Sequence, residues 1–159
     1  MEKITMPILR QPLEPEGAVI AIIVGLSNAT VRGLRSQHQP IPQPFECRAL
    51  LDCGADTTCV DSRLIEAMNI PHSGFTFANV PSLQEGTTLE TMHDLSLTIL
   101  HPSQDPRDFL LLRNWRVMEL PSGSLDYQVL IGRDILAKTQ FVFDGINQHF
   151  SLRYHKRAK

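Results

Sequence analysis

Strong charge of either sign is missing from this chain. Its 17 acidic and 15 basic residues leave a formal net charge of −2, too little to build the field that draws in nucleic acid or an anionic membrane surface. Cysteine is scarce and odd in number: Cys47, Cys53 and Cys59 form no Cys-x2-Cys pair and have no histidine cluster beside them. That excludes a disulfide framework, argues against a metal site and fits a reducing cytoplasm. Long apolar runs are absent too, since a membrane-spanning helix needs about 20 apolar residues. The longest run, Ala18 to Leu26, follows a Pro- and Glu-containing segment rather than a basic one, so it reads as a buried strand and not as a signal peptide.

What the chain does have is short β-type runs. It holds 159 residues, 42% of them apolar, with eleven prolines and seven phenylalanines. This is the size of one domain with a single core, and the few long helical windows tilt the class toward mostly β. Residues 1–17, with Pro7, Pro12, Pro15 and Gly17, read as an extended N-terminal arm, either mobile or packed on a partner. The domain proper is expected over 18–154, followed by a short basic tail over 155–159.

Strands are expected at Val19 to Leu26, continuing through Thr30 to Leu34 after a turn, and at Phe45 to Leu51. Between them Pro40, Pro42 and Pro44 withhold ladder donors and mark a surface connection. Thr58 to Val60 is extended, and Asp61 to Asn69 has a cap and apolar spacing for a short helix that Pro71 ends. Phe75, Phe77 and Val80 alternate within a Gly- and Thr-rich stretch that suits a hinged hairpin. Further strands are expected at Met92 to Leu100, at Phe109 to Leu112 with Trp115 to Leu120, and at Tyr127 to Gly132. A helix over Arg133 to Thr139 carries Asp134 near its N-terminus, where negative charge is favoured. Phe141 to Tyr154 closes the domain as a hairpin with Asp144-Gly145 at its turn. Trp115, Phe109 and the methionines are expected in the core.

The chemistry concentrates at Leu50-Leu51-Asp52-Cys53-Gly54-Ala55. An apolar strand runs straight into a carboxylate at the tip of a turn, and an aspartate so placed must be hydrogen-bonded, paired or chemically employed. About 80 residues later Leu130-Ile131-Gly132-Arg133-Asp134 repeats the strand-to-glycine junction.

Together, in this order and at this spacing, the two motifs resemble those of the retropepsin-like aspartic proteases, and the resemblance spans residues 18 to 154. It implies a single-lobe acid-protease fold with one or two short helices, working as a two-fold homodimer without a cofactor. One chain supplies one aspartate, whereas the family's hydrolysis needs two carboxylates sharing a proton around one water. The implied catalytic residue is therefore Asp52 from each protomer, with Cys53 and Gly54 completing the active-site turn. The resemblance further implies that Ala55, Asp56, Val80 and Ile131 line a cleft for an extended peptide. Asp56 and Arg133 would form a supporting ion pair, and the segment from Gly74 to Thr88 would act as a flap.

Cys53 departs from the family's Thr or Ser. A thiol is a weak donor, so the hydroxyl clasp that the family builds beneath its dyad is weakened, and two Cys53 thiols meet near the two-fold axis. Two readings follow. The first is an aspartic endopeptidase; the second is a catalytically weak or inactive domain of the same fold that serves in dimerisation or peptide binding.

Overall fold

The chain's strands form as its apolar runs require. The computed structural model describes residues 6–79, 86–121 and 127–155. In order they give β1 (Ile8–Pro12), β2 (Val19–Leu26), α1 (Asn28–Ser36), β3 (Phe45–Leu51), β4 (Cys59–Asp61), α2 (Ser62–Ala67), β5 (His72–Asn79) and β6 (Thr87–Ile99). A 3-10 turn at Pro106–Asp108 leads to β7 (Leu110–Leu120), β8 (Val129–Ile131), α3 (Arg133–Leu136), β9 (Thr139–Asp144) and β10 (His149–Tyr154).

Seven strands make one sheet in the order β2-β3-β8-β4-β7-β6-β5, and a further pairing of β2 with β6 curls it back on itself. The core lies inside that curl. Along β6, Leu95, Leu97 and Ile99 are fully buried while Asp94, Ser96 and Thr98 between them are not, which is the period-two pattern of a sheet with one face covered. Ile22, Val24, Ala49, Val60, Val117 and Ile131 meet them from the neighbouring strands.

The other three strands form a small sheet in the order β1-β10-β9. The extended arm thus supplies β1, which pairs antiparallel with the last strand of its own chain, Leu9 facing Leu152. Leu9, Phe150, Leu152 and Tyr154 bury the inner face of this sheet against the main core. The Tyr154 hydroxyl donates to the Asp108 carbonyl at 2.6 Å.

Thr30 to Leu34 corrects an expectation: it is the middle of α1, not a continuing strand. The Ser27 side chain accepts from the Thr30 amide at 3.1 Å, a helix N-cap whose stabilisation outweighs the strand preference of Thr30 and Val31. With α2 and α3 this makes three short α-helices among the described residues, where one or two were expected. Residues 40–44 form an exposed connection without regular structure, and β7 runs as one strand through Arg113 and Asn114.

β5 and β6 form a long antiparallel hairpin from His72 opposite His93 to Asn79 opposite Thr87. Its root is pinned by His93, which is only 4% exposed. The imidazole Nδ1 lies 3.1 Å from the Pro71 carbonyl and Nε2 lies 2.7 Å from a Glu119 carboxylate oxygen, so one side chain ties the entry of β5 to β6 and β7. Further out, Phe75, Phe77 and Leu89 are exposed on a shared face, Phe77 directly opposite Leu89.

Candidate active site

Asp52 owes its position to a parallel strand pair. β3 and β8 run side by side with Leu51 opposite Ile131, so the two strand-to-glycine junctions of the sequence emerge at the same edge. The Asp52 amide donates to the Ile131 carbonyl at 2.9 Å, extending the ladder one residue past the strand. There the chain turns. The Gly54 amide donates to Asp52 Oδ1 at 2.7 Å, which orients a half-buried carboxylate from its own backbone. A Cβ on Gly54 would lie 3.0 Å from that oxygen. The second oxygen has no protein donor among the described residues, and a carboxylate held by one oxygen with the other free is suited to exchanging a proton with a bound molecule.

The two junctions are locked together beyond the strands. The Arg133 amide donates to the Ala55 carbonyl at 2.8 Å and the Asp134 amide to the Asp56 carbonyl at 3.2 Å. Gly132 packs directly on the turn: a Cβ there would meet Thr57 C at 2.6 Å, Thr57 O at 2.8 Å and Thr58 N at 2.9 Å. Its backbone, φ −88° and ψ −177°, is ordinary for any residue, so the demand for glycine comes from contact and not from conformation.

Each residue implicated by the sequence has a definite place. Cys53 and Gly54 are exposed at the turn, and Ala55 is half-buried behind them. Asp56 forms an ion pair with Arg133, both side chains being largely exposed; such a pair contributes little stability by itself but closes the gap between the two motifs. Ile131 corrects an expectation. It is fully buried in the core, so its side chain supports the turn from beneath and is not on an open cleft. The cause is the strand period: Ile131 is in register with Leu51, whose side chain also points inward. Val80 lies outside the described residues, as do the tip of the β5–β6 hairpin and all of the basic tail except His155.

Three side chains here escaped sequence reasoning. Thr58, fully buried, donates its hydroxyl proton to Asp134 Oδ1 at 2.7 Å and accepts from the Gly132 amide at 3.1 Å. Trp115 Nε1 donates to Asp134 Oδ2 at 2.9 Å. The available signal was a threonine in the first turn and an aspartate in the second, each followed by apolar residues; nothing in the sequence joins either to a tryptophan on a distant strand.

The cysteines divide by burial. Cys47 and Cys59 are buried and Cys53 is exposed, all three as free thiols. Burial first, and then the Glu46 carboxylate, push the Cys47 thiol up to about 12. Burial, followed by the charges of Asp134, Asp52 and Glu90, does the same to Cys59, also to about 12. No group of His, Cys, Asp and Glu among the described residues is arranged to hold a metal ion, and no helix among them is long and apolar enough to cross a membrane.

Two outcomes are expected. Gly132→Ala forces backbone apart at the junction of the motifs and lowers stability by about 3 kcal/mol, the upper range for overpacking, in a urea titration. In the native protein near neutral pH, iodoacetamide labels Cys53 alone by peptide mass mapping. A raised pKa leaves Cys47 and Cys59 protonated there, so their alkylation begins only on unfolding or as pH climbs toward 12.

No family model matches this sequence, and no curated protein matches it. Among solved structures the chain is similar to a retropepsin-like aspartic protease from Rickettsia conorii, with a TM-score of 0.53, 13% sequence identity, and coverage of 97% of this chain and 98% of that one. The likeness runs through nearly the whole of both chains, and at that identity it speaks for architecture: this chain has the mostly-β, single-lobe retropepsin-like fold.

Proposed function

We propose that the protein is an aspartic endopeptidase acting as a two-fold homodimer, with Asp52 of each protomer as the catalytic pair. The observation that carries the reading is the Asp52 carboxylate itself, set at the tip of a strand pair, oriented by the Gly54 amide and left with one oxygen that has no donor among the described residues. A lone carboxylate cannot serve as base and acid in one step, so the reading requires a second copy. Two such groups across an axis repel as anions and share one proton. The ionised member takes a proton from a water between them as that water attacks the scissile carbonyl carbon. The protonated member gives its proton to the carbonyl oxygen, and collapse of the tetrahedral intermediate returns a proton to the departing amine.

The substrate is a peptide bound in extended form, its backbone pairing as an added strand, with Ala55 and Asp56 beside it. The β5–β6 hairpin is the flap, and Val80 is a substrate contact, as the resemblance implies. Phe75, Phe77 and Leu89 give that hairpin an apolar face. Three free cysteines support a reducing, cytoplasmic setting. Asp56 and Arg133 act as a brace for the turn rather than as chemistry.

The second reading, a weak or silent dimerisation or peptide-binding module, is favoured by one observation, the exposed thiol of Cys53 where the family has a hydroxyl. Asp52→Asn preserves shape and removes the carboxylate; peptide cleavage at mildly acid pH is expected to fall by about 100- to 10,000-fold with the fold intact. Cleavage unchanged by Asp52→Asn, or a protein that sediments only as monomer at high concentration, overturns the protease. No cleavage by either form, with dimer retained, favours the binding module. Cys53→Thr restores a strong hydroxyl donor and is expected to tighten the dimer and raise kcat, read by sedimentation and by turnover.

A further inference from the structure

Asp134 is not in the turn that carries Asp52, yet one donor to its carboxylate, the Thr58 hydroxyl, leads back to that turn. Oδ1 accepts from the Thr58 hydroxyl at 2.7 Å and from the Ile135 amide at 3.0 Å; Oδ2 accepts from Trp115 Nε1 at 2.9 Å. The Thr58 oxygen in turn accepts the Gly132 amide at 3.1 Å. Gly132 N–H and Ile131 C=O belong to the same planar peptide group, and that carbonyl receives the Asp52 amide at 2.9 Å. One rigid plane therefore faces Thr58 on one side and the Asp52 backbone on the other. Tilting it for the first contact moves the second.

Within this chain the Trp115 indole has a specific part. Oδ1 has two donors, but Oδ2 has only the indole N–H among the described residues, so it is Trp115 that stops the carboxylate from rotating about its own axis. The ring also lies under Lys138, whose Nζ stands 5.5 Å from its centroid, which holds a cation of the turn after α3 against the aromatic face. Packing alone needs an aromatic ring here; it does not need the ring's N–H.

On the reading of Asp52 as catalytic, we propose that Trp115 is a positioning residue, its indole N–H fixing Asp134 so that Thr58 and the Ile131–Gly132 peptide hold Asp52 at its reactive orientation. This assigns a function to the chain's one tryptophan, which sits on β7, outside both motifs.

Trp115→Phe keeps the ring and deletes the N–H. It is expected to lower kcat by about 10- to 100-fold with KM little changed, as displacement of a catalytic group does. In the same variant, amide hydrogen exchange is expected to quicken by about 10-fold at Asp52 and Gly132, the scale of one lost hydrogen bond. Leu95 and Val117, in the neighbouring ladder, keep wild-type rates. Thr58→Val reproduces the pattern and Thr58→Ser, which retains the hydroxyl, restores it. Wild-type exchange at Asp52 and Gly132 in Trp115→Phe overturns the proposal, and so does an acceleration shared equally by all ladder amides, which marks a packing role. If the wild type cleaves nothing, or cleaves no better than Asp52→Asn, the protease reading fails instead, and amide exchange still decides whether Trp115 governs the turn.

Discussion

The structure hangs on the parallel contact of β3 with β8. It is short, three residue pairs from Ala49 opposite Val129 to Leu51 opposite Ile131, yet it joins segments far apart in the sequence and brings both strand-to-glycine junctions to one edge. Parallel strands cannot be linked by a tight turn. The intervening chain must therefore travel, and in doing so it builds β4 to β7 and the long hairpin. Gly132 makes the contact close enough to matter: with no side chain it lets α3 begin against the Thr57 backbone, where any Cβ would collide.

Polar groups at this junction are satisfied in layers. Backbone amides of Arg133 and Asp134 reach the carbonyls of Ala55 and Asp56, the Thr58 hydroxyl fills the space beneath, and the Asp134 carboxylate gathers the remaining donors. A buried hydroxyl that both donates and accepts costs little, whereas either bond lost would leave an unpaired group in a low-dielectric interior. Rigidity near Asp52 thus comes from hydrogen-bond closure, and the surface ion pair of Asp56 with Arg133 adds a minor part.

Much of the fold was legible because its strands are apolar runs bounded by turn residues: β2, β3, β6, β8 and the terminal hairpin follow from period and composition. Helix α1 was not, since Thr30 and Val31 favour strands and only Ser27, one residue among several polar ones, announces the cap. Of the site, the two motifs were legible through their glycines, because close approach leaves a mark in residue type. The inward turn of Ile131 depended on register with Leu51, which a sequence does not display. The bond from Trp115 to Asp134 was hidden for a similar reason: a lone tryptophan in a strand reads as core, and its single polar atom gives no sign of where it points.

The pairing of β1 with β10 has a consequence in time rather than in space. Ile8 faces Arg153, so β1 has no partner until β10 has been made and has folded back onto it. Contacts of such long sequence separation form late and slow folding. Until then Leu9 has neither Leu152 nor Phe150 to cover it. The small sheet closes over the longest span of the described pairings, and the turn that holds Asp52 is assembled only when β8 has come to lie beside β3.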